Sequence, residues 1–352
     1  MLNSLSSNVV LAKARTMYGR RLKQADYNDL LKCRTVGEVA GYLKSHTAYS
    51  QALAGVMENQ IHRGELEARL KQKLVGDYAS LCKYEVEVDR HFSRFFIQHE
   101  EIEFVLHTIL SVNAGVRKER SYPQFSYLSH ESRLDFKVLS RVRTYAELLR
   151  ALEGTPYRKL LEPFSPKDGK LVDYAGAEHA LYFNLYSGIL DIIRSHFFGG
   201  TRKQLFTIFN AYMDLHNYVR IIRLKTNYGC GPQTIRKLLL PSGALSRKTM
   251  EEMVSADSEQ GVQAALERTD IGRKAFKLEG SYLSEIPMRM NYEICCHYID
   301  FSTHPTVVLI SYIFLCEAEM KDIITIVEGI RYQLSPGEIR KLLISAGAQI
   351  QE

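Results

Sequence analysis

Apolar side chains recur along this sequence mostly at steps of three and four. The clearest run is Leu205, Ile208, Phe209, Tyr212, Leu215, Val219 and Ile222, which lines one side of a long helix. A polar row, Asp214, Asn217, Arg220 and Arg223, follows the same stretch at steps of three. Sustained period-two alternation is missing and tight hairpin signals are few, so strands are not predicted. The pattern predicts an all-α chain and does not fit alternating βαβ units.

Positions also repeat over a longer distance. Thr35, Glu38, Leu43, Tyr49 and Leu53 return about 110 residues later as Thr144, Glu147, Leu152, Tyr157 and Leu161. Both starts read as capping boxes, in which the Thr hydroxyl accepts the third backbone N–H of a helix and the Glu reaches back to the cap. Leu43 and Leu152 then point inward. A third copy near Ser258 to Phe276 keeps Ser258 as a cap and Leu266 as the inward residue. It carries Gly261 where the glutamate should be, which makes its first helix the least secured of the three.

A second element repeats further along. Glu100-x-x-Glu103, Asp214-x-x-Asn217 and Glu319-x-x-Asp322 each sit inside a long amphipathic stretch. Two of these stretches are followed by a stop signal and then by Ile-Arg-Lys-Leu-Leu, at 235–239 and at 339–343. Other helix starts lie near Glu67, Glu178 and Glu279. The reading is three similar helical domains of about 110 residues, at 1–125, 126–233 and 234–352.

Composition narrows the class. A chain of 352 residues, 45% hydrophobic and 24% charged, can bury a sizeable core and is not disordered. The longest nearly apolar run, Val307 to Cys316, is about half of what a membrane-spanning helix needs. The net charge of +6 is scattered and not interleaved with aromatics, so no nucleic-acid partner is indicated. Six cysteines at irregular distances read as reduced thiols. The first 25 residues carry Lys13, Arg15, Arg20, Arg21 and Lys23 with no acid. That composition suits a transit peptide, but the run passes unbroken into the patterned Asp26-Tyr27 segment, which favours an exposed amphipathic first helix.

Reaction chemistry is sparse. No Walker-type phosphate loop is present. Gly229-Cys230-Gly231-Pro232 follows a helix and opens none, so it reads as a helix-ending loop and not a phosphate cradle. No two of the eleven histidines are three or four apart. Cys295, Cys296 and His297 are adjacent and, on a helix, point too far apart to share an ion. Glu100, Glu103, Asp214, Glu319 and Asp322 invite a paired-carboxylate reading, yet triplication at a structural period favours packing ladders. The row Asp214, Asn217, Arg220, Arg223 reads equally as a solvated face or as one facing a neighbouring helix, with Asp214 and Asn217 hydrogen-bonded and the arginines paired to carboxylates. No catalytic, cofactor or metal residue is assigned.

The order and spacing of these residues resemble a known family. The match runs through Asp26-Tyr27-x-x-Leu30-Leu31-x-Cys33-x-Thr35-x-x-Glu38, then Leu43 and Tyr49. It continues through Asp214-x-x-Asn217, Arg220 to Lys225, Leu239-Leu240-Pro241-Ser242-Gly243 and Glu319-x-x-Asp322. Over about residues 10 to 345 the chain is similar to the central-stalk connector of V-type ATPases and ATP synthases, the C subunit of prokaryotic complexes and the d subunit of eukaryotic ones; it departs from that pattern at Gly261. The resemblance implies three helical domains in a pseudo-three-fold funnel with a non-catalytic role. It implies a peripheral place on the cytoplasmic face of a membrane, between the rotor ring of proteolipid subunits and the central shaft, passing on rotation linked to proton or sodium transport. A helical-repeat adaptor for another partner is the alternative, although its usual period is shorter. An enzyme with a helical site would need a deep pocket with converging polar groups.

Overall fold

The computed structural model describes residues 2–82, 92–115, 132–166, 171–241, 243–278 and 282–345. All regular structure among them is helical, as the periodicity predicts. Two kinds of helix alternate. Long ones are α1 (Leu2–Tyr18), α4 (Arg63–Cys82), α5 (Ser93–Ala114), α9 (Tyr174–His196), α10 (Gly199–Thr226), α15 (Ile286–Phe301) and α16 (Pro305–Arg331). Short ones are α2 (Gln24–Leu30), α3 (Val36–His46), α6 (Phe136–Ser140), α7 (Tyr145–Ala151), α8 (Pro156–Leu161), α11 (Pro232–Lys237), α12 (Arg247–Ser255), α13 (Glu259–Glu267), α14 (Asp270–Ala275) and α17 (Pro336–Leu342). The 125/126 repeat boundary and Glu279 lie outside the described residues, and the helix read as starting near Glu279 begins at Ile286.

Caps set the short helices. Thr35, Thr144 and Ser258 each accept the N–H three residues on, from Glu38, Glu147 and Gly261. The third copy therefore forms its helix without the glutamate. Glu38 and Glu147 reach one residue further back than a capping box requires, to the N–H of Arg34 and Arg143, each at 2.8 Å. Leu43, Leu152 and Leu266 are all fully buried.

The long helices close on one another. α5 packs on α9, α9 on α10, α10 on α15, α15 on α16 and α16 on α4. Lys71 of α4 and Glu100 of α5, 3.0 Å apart, together with the Tyr78–Phe96 ring contact, join α4 back to α5. Inside this circuit Phe95 of α5, Phe209 of α10 and Phe314 of α16 meet, with ring centroids 5.3, 5.8 and 6.5 Å apart. Each lies five residues before Glu100, Asp214 or Glu319, so the three long helices bring the same repeat position to one point.

The apolar clusters straddle the repeats. Residues of α2 and α3 and of the segment up to Leu70 pack with Ile323, Ile326, Val327, Ile339 and Leu343 of α16 and α17. Leu215, Val219 and Ile222 of α10 pack with α12, α13 and α14. The short helices α2 and α3 are thus seated on the C-terminal half of α16, and α12 to α14 on that of α10.

The basic first helix is less solvent-facing than its composition suggests. Val10 and Ala14 are fully buried. Arg15 donates to the carbonyls of Ile299, Asp300 and Ser302 at 2.8–3.0 Å, which caps the end of α15. Lys13 donates to Ser80, and Arg21 lies 4.2 Å over the Tyr18 ring and donates to the Tyr292 hydroxyl.

Candidate functional site

The polar rows of the long helices are fastenings. In α10, Asp214 is buried and accepts the backbone N–H groups of Gly243, Ala244 and Leu245 at 2.9, 2.7 and 3.0 Å. Asn217 pairs reciprocally with Leu240, accepting its N–H at 2.8 Å and donating to its carbonyl at 3.1 Å. Arg220 donates to the Leu238 carbonyl and lies 3.5 Å from Glu178. Lys225 donates to the carbonyls of Val254 and Ala256. The row therefore faces mainly a connecting segment of backbone, with Asp214 and Asn217 hydrogen-bonded there and Arg220 also paired to Glu178 of the neighbouring α9. Arg223, three residues on, is exposed; steps of three turn the row steadily round the helix. Ser242, part of the connecting stretch, lies outside the described residues.

α16 repeats the device. Asp322 is fully buried and accepts the N–H of Ile344 and both the N–H and the hydroxyl of Ser345 at 2.6, 3.1 and 2.6 Å. Glu319 accepts the Leu22 N–H at 2.7 Å and the Tyr49 hydroxyl at 2.8 Å. The end of the repeat is thereby tied to its beginning. Arg340 to Asn28 and Arg63 to Glu328, both at 2.7 Å, reinforce the same junction.

In α5 the register differs by one position. Tyr157, the counterpart of Tyr49, donates to Glu101 at 2.5 Å, and Ser132 donates to the other oxygen of that carboxylate. Glu100 instead pairs with Lys71, and Glu103 accepts from the Tyr182 hydroxyl. Glu101 is a fastening residue that the step-of-three reading missed. Tyr157 was its available signal, because it already belonged to the repeat.

Burial dominates the electrostatics. It raises Asp214 and Glu319 above the ordinary carboxylate range against the hydrogen bonds that favour their anions. Asp322 is pushed up to about 6 by burial, opposed by Ser345, Ile344 and Arg289. Glu317 rises to about 8 from burial and from Glu100 nearby. His216 falls to about 3 from burial and from Arg220. The lone pairs of Asp214 and Asp322 that point at protein are already taken by fixed donors, an arrangement that holds backbone rather than transfers protons.

The other residues singled out in the sequence are dispersed. Cys295 is buried in α15, Cys296 faces the Tyr18 hydroxyl at 3.6 Å and the His297 ring lies against Phe301. Among the described residues no group of three His, Cys, Asp or Glu side chains is placed to hold a metal ion. The Gly229 to Pro232 stretch does more than end α10. Gly229, at φ +59°, turns the chain back so that its N–H and that of Cys230 meet the Lys225 and Leu224 carbonyls. Gly231 then caps the six-residue α11, correcting the expectation that this stretch opens no helix.

One end of the circuit carries the turns between paired long helices. Phe92 lies 5.3 Å from Phe197, and Phe197 lies 6.4 Å from His304. At that end Phe198 and Phe301 are each 72% exposed. Among the described residues no helix is long and apolar enough to cross a membrane.

The protein is an all-helical subunit built as a circuit of paired helices with buried fastenings, and the chain belongs to the ATP synthase (C/AC39) subunit family, whose model matches residues 10–342. This membership sets it among the subunits of rotary ATPases. It is similar to the C subunit of the A-type ATP synthase of Thermococcus kodakarensis, with 24% identity over 94% of this chain and 88% of that protein. The corresponding C subunit of Pyrococcus horikoshii is 24% identical over the same shares, and that of Methanocaldococcus jannaschii is 23% identical over 96% and 86%.

Proposed function

We propose that this protein is the non-catalytic collar of a rotary ATPase, joining the membrane rotor ring to the central shaft on the cytoplasmic face. In this reading the three copies, 1–125, 126–233 and 234–352, stand around a common axis as a funnel. The observation that carries it is the closure of the helix circuit through Glu319 and Asp322, which tie the last long helix to Leu22, Tyr49 and the segment after α17. A part that passes torque must not open at its seam, and buried charge-assisted hydrogen bonds with an apolar cluster across the seam oppose that opening. The turn end with Phe198 and Phe301 exposed supplies the aromatic anchors of an interface core, and it is the surface we assign to the ring.

Purified protein mixed with detergent-solubilised rotor ring is expected to co-elute from a sizing column. Phe198→Asp with Phe301→Asp should weaken that association by about a hundredfold without unfolding the chain. The isolated chain is expected to show no ATP turnover. Failure to bind ring or shaft at any salt concentration, or robust turnover by a homogeneous sample, counts against the collar.

A further inference from the structure

A trough of about 700 Å³ runs between the first half of α10, α14 and α15. Its lining is amphipathic. Phe206, Ile271, Met290 and Ile294 supply apolar surface, while Arg202, Lys203 and Lys274 bring positive charge. The two carboxylates along it are occupied, Asp270 by Arg273 and Asp214 by the Gly243–Leu245 backbone. Among the described residues the three cations have no carboxylate within ion-pairing distance. The Arg202 guanidinium lies 5.6 Å over the Phe206 ring, which sets charge directly above apolar surface.

We propose that this trough binds one anionic phospholipid, with its phosphate among Arg202, Lys203 and Lys274 and its acyl segment along Phe206, Met290 and Ile294. Charge complementarity selects the anionic headgroup, and an apolar floor beneath the cations selects an amphiphile over a free phosphate. The mouth of the trough begins at Gly199, beside the exposed Phe198, an apolar ring of the kind that interfacial segments bury at the headgroup boundary. The proposal deepens the collar reading, since that reading brings this end of the molecule to a membrane. Its test uses the isolated protein and no rotor ring.

The full chain should float with vesicles of phosphatidylglycerol and phosphatidylcholine and not with phosphatidylcholine alone. The triple variant Arg202→Glu, Lys203→Glu, Lys274→Glu should lose roughly a hundredfold in binding, from three interfacial cations. The charge-matched triple Lys159→Glu, Lys237→Glu, Lys248→Glu, at exposed positions elsewhere, should lose no more than about threefold. Thr207→Trp, which fills the trough from its rim without changing charge, should lose about tenfold. Equal losses from both triples would mean diffuse attraction and overturn the site. So would an unaffected Thr207→Trp, or a chain that ignores vesicles yet binds inorganic phosphate or polyglutamate through the same cations. Ring co-elution surviving such a failure leaves the collar reading standing.

Discussion

The Asp214 and Asp322 junctions use one device across very different stretches of chain. Asp214 holds backbone 29–31 residues ahead of it and Asp322 holds Ile344 and Ser345, 22–23 residues ahead, but the second junction also reaches Leu22 and Tyr27, 297 and 295 residues behind Glu319 and Asp322. Joining ends ten times further apart costs about 2 kcal/mol more in loop-closure entropy. The long-range junction offsets this with more groups: two carboxylates instead of one, Arg340–Asn28, Arg63–Glu328 and an apolar cluster shared by α2, α3, α16 and α17. A local connection is held by the side chains of one helix, Asp214, Asn217 and Arg220, while the ring closure draws on several elements from both ends of the chain.

The largest expected effect comes from removing each carboxylate. Asp322→Ala and Asp214→Ala should each cost about 4 kcal/mol in urea unfolding, since each strands several buried donors. Hydrogen exchange should tell the two apart. Asp322→Ala is expected to expose the amides of α2, far away in sequence, whereas Asp214→Ala should loosen only the segment entering α12. Unchanged protection of α2 in Asp322→Ala would break the comparison.

Acid titration should sharpen it. The folded pKa of Asp322 is about 6, above its ordinary 3.8, so the folded state keeps a proton that the unfolded chain has lost. This contribution is therefore fully present below about pH 4 and is lost as pH rises towards 6, amounting to about 3 kcal/mol. Tyr27, whose hydroxyl donates to Asp322, is pushed further above its ordinary value by burial and stays protonated throughout this window. Asp322→Asn should flatten this part of the stability profile; an unchanged slope would show that Asp322 is not its source.

The smallest effects lie at the caps. Thr35→Ala, Thr144→Ala and Ser258→Ala should each cost about 1 kcal/mol in thermal or urea unfolding. Equal costs at all three positions would show that the missing glutamate at Gly261 matters little. A much smaller cost at Ser258 would show that Glu38 and Glu147 stabilise their helices through Arg34 and Arg143.

Much of this was legible in sequence because it is local. Thr35, Thr144 and Ser258 cap helices through atoms three residues away, and Leu205 to Ile222 declare a helix by spacing alone. Glu100 and Glu101 show where that reading stops. Both suit the same helix, and a one-residue change rotates a side chain by about 100°, so only the position of Tyr157 picks Glu101. The basic α1 forms as the amphipathic helix its sequence suggests, but its anchoring was not legible for a related reason: the carbonyls that Arg15 binds, at Ile299, Asp300 and Ser302, lie at the far end of the chain.

Helix type, caps, the repeat and the stop signals depend on contacts within a few residues, and the amino-acid order alone determined them. Which repeat seats which short helices, and the meeting of Phe95, Phe209 and Phe314, were decided by the tertiary structure. A helix surface presents several neighbouring rows of side chains, and only the packed neighbours determine which row is buried.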